Sequence, residues 1–170
     1  MRVSAVEQGN PSGSLVVAGL GTFDGVHRAH RAMLSELRRV ANDKDAEVGL
    51  LLIEGGAHYR ARMLTSLDHR LELLAETGDV DAVWVVPSEI HEEPRLRLGA
   101  ALDSVGPIAL GVSGLMRLGR ADLTSREELD SICAEHSIEI FSMDESNPGR
   151  HEAAVDGRCQ LRTGVRDQSA

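Results

Sequence analysis

The feature that most limits this chain is a series of short apolar runs: "SLVVAG", "EVGLLLIE", "DAVWVVP", "PIALGV" and "SIEIFSM". Each is too short to span a membrane, and the first two are apolar enough to read as buried strands. Between them apolar residues recur at helical spacing. Buried strands alternating with helices imply a parallel sheet, because each strand needs a crossover to return to the same edge. The expected fold is therefore α/β, a parallel sheet with helices on both faces.

Local signals set approximate bounds. The first strand is expected over Leu15 to Leu20. A helix from about His30 to Ala41 carries Ala32, Leu34, Leu37, Val40 and Ala41 on one stripe. In "MLTSLDHRLELLAETG" Ser66 is a plausible N-cap, Leu67, Leu71 and Leu74 share a face, and Gly78 is a stop. Glu92 to Val105 is expected to be helical, and Thr124 or Ser125 to cap a helix ending near His136. Trp84, Met63, Met116 and Met143 are read as packing residues. Residues 1–14, polar and rich in Gly, Ser and Pro, read as a loose lead-in. Residues 15–170 then form one domain, a size that buries a substantial core.

Composition removes several function classes. A net charge of -9 opposes binding along a nucleic-acid backbone, and an aromatic share of 2% leaves few platforms for stacking bases. Cys133 and Cys159 are far apart with no CxxC pattern, so buried thiols are expected, with neither a disulfide nor a zinc site. No apolar signal core or spanning segment is present in the sequence, so a cytoplasmic protein without membrane contact is expected.

The segment "GLGTFDGVHRAH", Gly19 to His30, joins the first strand to the first helix. In open α/β sheets ligands bind at the carboxyl ends of the strands, so this turn is where chemistry is expected. Gly19 and Gly21 are read as permitting a sharp turn, and Gly25 as permitting close approach of a ligand. His27 and His30, three apart at a helix entry, can face the same anion together with the helix N-terminus. The spacing fits neither the Walker pattern nor the dinucleotide fingerprint. Taken alone it leaves two readings open, a phosphate site or a Gly-rich turn with two incidental histidines.

"GTFDGVHRAH" resembles the G-x-FDGVH-x-GH signature of the nucleotidyltransferase superfamily, in the form found in bacterial FAD synthetases. "MLTSLDHRLELLAETGDVDAVWVVP" is similar to that family's LTSLxxRLELLAxLG segment, and "DGRCQLRTGVR" to its DGxxVSSTxIR ending. The resemblance implies a Rossmann-like parallel sheet and transfer of AMP from ATP to FMN, with Mg²⁺ present. It implies that His27 and His30 contact the nucleotide phosphates and that Arg166 holds the outgoing ones. Thr163 would hydrogen-bond nearby, and Gly21, Thr22, Phe23, Asp24 and Gly25 would line the nucleotide site. Metal ligands and oligomeric state are not implied.

Departures from the pattern cluster on the acceptor side. Ala29 stands where Gly is usual and Thr22 where Asn is common. The family's FEPHP segment aligns with "IEGGA", in which only Glu54 matches, and its G-x-DF-x-FG segment with "SGLMRLG". Leu161 and Arg162 replace two serines. A riboflavin kinase domain is not expected after Arg166. Three readings follow: FMN adenylyltransferase, a nucleotidyltransferase using CTP or another phosphorylated acceptor, and a non-catalytic nucleotide- or flavin-binding homologue.

Overall fold

A computed structural model describes residues 1–54, 62–87, 94–113 and 126–143. Its six strands are β1 (Arg2–Ala5), β2 (Val16–Gly21), β3 (Glu47–Glu54), β4 (Ala82–Pro87), β5 (Ala109–Ser113) and β6 (Glu139–Met143). They form one sheet in the order β1-β4-β3-β2-β5-β6, with every pairing parallel. Helices α1 (Arg28–Asp43), α2 (Leu67–Thr77), α3 (Pro94–Val105) and α4 (Arg126–Glu135) supply the crossovers. This is the expected α/β, Rossmann-like architecture.

Two cores lie on opposite faces of the sheet. Val17, Leu50, Leu52 and Val83 meet Leu34 and Leu37 of α1 and Leu74 of α2. On the other face Ala18, Leu20, Leu51 and Trp84 meet Leu102 of α3 and Ile132 and Cys133 of α4. Strands β2, β3, β4 and β5 therefore bury both of their alternating faces, which is why their sequences lack polar alternation. Cys133 is a buried thiol; Cys159 lies outside the described residues.

Local chemistry set most boundaries. Ser66 caps α2, its side chain accepting the His69 N–H, and Gly78 closes the helix in the left-handed region. Helix α1 begins at Arg28, two residues before the expected start, because His27 is its extended N-cap. Pro94 occupies the first described position of α3, where its missing N–H is not needed. Thr124 and Ser125, expected caps of α4, lie outside the described residues, as do Met116 and the segment 114–120. Met63 is half-buried, short of the core position expected for it.

Gly19 corrects one expectation. It lies inside β2, not in a turn, and a Cβ there would come within 2.6 Å of Leu37 and 3.0 Å of Leu50. The missing side chain lets α1 pack close to the sheet.

The lead-in is the larger correction. Arg2–Ala5 is the edge strand β1, paired with Ala82–Val85 of β4. The chain then crosses the Trp84 face, where Val6 is buried, the Trp84 indole N–H donates to the Gly9 carbonyl at 2.6 Å, and Ser104 Oγ donates to the Val6 carbonyl. An edge strand held by backbone hydrogen bonds, with Val3 about half exposed, needs no apolar run to announce it. Among the described residues no helix is long and apolar enough to cross a membrane.

Candidate active site

Strand β2 lies between β3 and β5, and the chain leaves it toward α1 at the carboxyl edge of the sheet. This is a switch point of the kind where α/β sheets open a crevice. Beyond Gly21 the backbone is unusual. Phe23 (φ 49°), Gly25 (φ 72°) and Val26 (φ 38°) all enter the left-handed region. Glycine tolerates this; an aromatic and a β-branched residue do so at about 1–3 kcal/mol each. Both side chains are buried, Phe23 and Val26 joining the α1 core, and this burial opposes relaxation of the turn.

The turn delivers the two imidazoles. His27 is exposed and His30 half-buried. Their rings stack with centroids 3.8 Å apart at 20°, and the Phe23 ring backs His30 at 5.3 Å. They stand at the start of α1, whose N-cap side chain accepts no hydrogen bond from the first turn. The partial positive charge of the helix end is thus not spent on a capping carboxylate or hydroxyl. The first turn contains no acidic residue and includes Arg28 and Arg31, both exposed. Basic residues at this end of a helix are locally unfavourable, and an incoming anion would relieve them.

A second layer holds the turn from below. Asp24 Oδ1 accepts the Thr65 N–H at 3.0 Å and its hydroxyl at 2.7 Å, and Oδ2 accepts the Leu64 N–H at 2.9 Å. The Gly25 N–H donates to Thr65 Oγ1 at 3.2 Å. Burial pushes the Asp24 carboxyl up, but these donors and the Arg70 charge outweigh it and hold the group below the usual carboxylate range. Arg70 is 1% exposed, and its Nη1 donates to the Thr22 carbonyl at 2.8 Å. Burial lowers its pKa, with the charges of Asp24 and Glu54 opposing.

Of the residues singled out in the sequence, Thr22, Phe23, Asp24, Gly25 and His27 form this turn, with His30 in the first turn of α1 and Gly21 as the last residue of β2 and not, as expected, in the turn itself. Both Asp24 oxygens face protein donors, so its side chain ties the turn to residues 64–65. Arg166, Thr163, Leu161 and Arg162 lie outside the described residues. Sequence reasoning passed over Thr65 and Arg70. Their only signal was membership of the "LTSLDHRLELL" match, since an arginine in an amphipathic helix ordinarily faces water. Among the described residues no group of three or more His, Cys, Asp or Glu is arranged to hold a metal ion.

Residues 10–91, which contain the whole of this turn and its supporting layer, match the family model described as FAD synthetase. A bifunctional riboflavin kinase/FMN adenylyltransferase from Listeria monocytogenes is 30% identical over 77 residues. That match takes in 41% of this chain and 24% of the relative, so the chain spans about a quarter of that protein's length. The crystal structure of a protein from Streptococcus pneumoniae described as a macrolide-efflux protein superposes with a TM-score of 0.66 at 13% identity. It covers 84% of this chain and 50% of that one, and at this identity it shows a shared fold alone.

Proposed function

We propose that the FAD synthetase-like domain this chain carries over residues 10–91 is a nucleotidyltransferase, and that it transfers AMP from ATP to the phosphate of FMN. The observation that carries this reading is the stacked His27–His30 pair at a helix N-terminus with no side-chain cap. An oxygen of the acceptor phosphate attacks the α-phosphorus of ATP, the bond to the bridging oxygen breaks, and pyrophosphate leaves. The attacking phosphate is already anionic, so the site needs no general base. What it must supply is position and donors for oxygens that gain charge, and two imidazole N–H groups with the first-turn amides are suited to that.

In this reading the backbone at Gly21, Thr22, Phe23 and Gly25 lines the nucleotide, and Arg166 and Thr163 add contacts to the outgoing phosphates. In this reading Mg²⁺ would accompany the nucleotide and neutralise charge on its phosphates. A second reading keeps the transfer and changes the acceptor or the base. It is favoured by the substitutions in "IEGGA" and "SGLMRLG", which spare the turn.

The test is pyrophosphate release from ATP or CTP, with FMN and a panel of phosphate monoesters as acceptors, alongside chromatography for FAD. FAD formation lost in His27→Ala and His30→Ala supports the first reading. Turnover with another monoester and none with FMN selects the second. Nucleotide binding by calorimetry with no turnover for any pair overturns both and leaves a binding protein.

A further inference from the structure

We infer that Arg70 is a positioning residue for the imidazole pair, acting through the backbone of the β2–α1 turn; this rests on the phosphate-binding reading of that turn. The pairing of β2 with β3 ends at Gly21 and Leu52. The Thr22 carbonyl therefore lies one residue beyond the ladder, where no strand partner continues it. Arg70 takes it up at 2.8 Å from inside the protein, while its Nε reaches the Ser66 carbonyl only at 3.5 Å. A charged side chain with 1% exposure is rare and needs partners for its charge. Asp24 and Glu54 supply that charge.

The contacts are arranged around the strained residue. Thr22, before Phe23, is held by Arg70; Asp24 and Gly25, after it, are held by Leu64 and Thr65. All three holding residues come from the start of α2 and the segment that leads into it. Phe23 is thereby fixed in the left-handed region with its ring behind His30. The planar guanidinium can reach the carbonyl while staying near both carboxylates, which the single ammonium of a lysine does less well. Donors that must meet charge developing on phosphate oxygens need such anchoring, since a misplacement near 1 Å can lower a rate about a hundredfold.

The full chain, as wild type, Arg70→Lys and Ser66→Ala, would be compared by ¹H–¹³C spectra of the His27 and His30 rings, urea unfolding and steady-state kinetics with ATP. Ser66→Ala removes a cap from the same helix without touching the turn. It should lower the urea midpoint and leave ring signals and kcat in place. Arg70→Lys should move both sets of ring signals and lower kcat by roughly ten- to a hundredfold, with the KM for ATP changing less. Ring signals unmoved in Arg70→Lys, or moved equally in Ser66→Ala, would overturn the inference. If Arg70→Lys does not fold, Arg70→Gln, which keeps an N–H donor near the Thr22 carbonyl but carries no charge, should move the same signals; unmoved signals there would also overturn it. The ring signals are read without turnover, so an inactive wild type would sink the transfer reading and leave this test intact.

Discussion

At the amino ends of the strands Asp81 accepts the Val48 N–H at 2.8 Å and pairs with Arg38 at 2.9 Å, while its backbone carbonyl receives the Arg2 N–H. Arg2 in turn binds Glu47 and Ser12. At the carboxyl ends Asp24 also accepts backbone N–H groups, but from the residues that lead into α2. One carboxylate closes its end of the molecule, with arginines consumed by acids across β1, β3, β4 and α1. The other steadies a turn that stays open, above which Arg28, His27, His30 and Arg31 face no acid in their own helical turn. The same split appears in the backbone. Asp45 and Ser137 enter the left-handed region just after helices, where small polar residues do so readily, whereas Phe23 and Val26 do so before α1. Like chemistry thus serves closure at one end and a candidate site with exposed basic residues at the other, within a chain of net charge -9.

That contrast breaks most sharply at His30. His30→Ala should lower nucleotidyl transfer by about a hundred- to a thousandfold, while the exposed His27→Ala should leave stability within about 0.5 kcal/mol by urea unfolding. Trp84→Ala tests the closed side. Loss of a fully buried indole and its bond to Gly9 should lower stability by about 3–5 kcal/mol, and nucleotide binding should persist wherever the protein remains folded. The two aspartates should then separate. Asp81→Ala should lower stability by about 1–3 kcal/mol with little change in kcat, whereas Asp24→Ala should lower both. A kcat loss as large in Asp81→Ala as in Asp24→Ala would erase the distinction between the ends.

Acid should act on both ends together. For Glu47 the Arg2 hydrogen bond is the largest influence and lowers its pKa; for Asp24 and Asp81 burial raises it, but the donors and charges around each outweigh that. All three therefore titrate below their ordinary values of 3.8 for aspartate and 4.5 for glutamate. A depressed carboxyl contributes stability that is full above the ordinary value and lost as pH falls through the depressed one. Urea midpoints should be level near neutrality and fall below about pH 4, and Asp24→Asn should make that fall shallower. The smallest effect is expected at Arg39, whose bonds to Glu36 and Asp43 are exposed; Arg39→Ala should change stability by about 0.3–0.5 kcal/mol.

How much could be read beforehand depends on how local the cause is. The Ser66 cap, the Gly78 stop and the bounds of β3 were legible, since each follows from neighbours within a few residues. The paired histidines were legible too, because a helix entry three residues long fixes their relation. Strand β1 was not, because "RVSA" becomes a strand only where β4 offers its edge and Trp84 and Ser104 anchor the residues that follow. Gly19 was misread for a similar reason: its neighbours at 2.6 and 3.0 Å belong to α1 and β3.

Apolar periodicity alone determined a parallel α/β sheet and put the candidate site residues on its first long strand-to-helix turn, because burial pattern and spacing are properties of consecutive residues. Only the tertiary structure decided that Arg70 lies beneath that turn. Its position depends on α2 docking against a loop about 40 residues earlier in the chain, a contact no local pattern encodes.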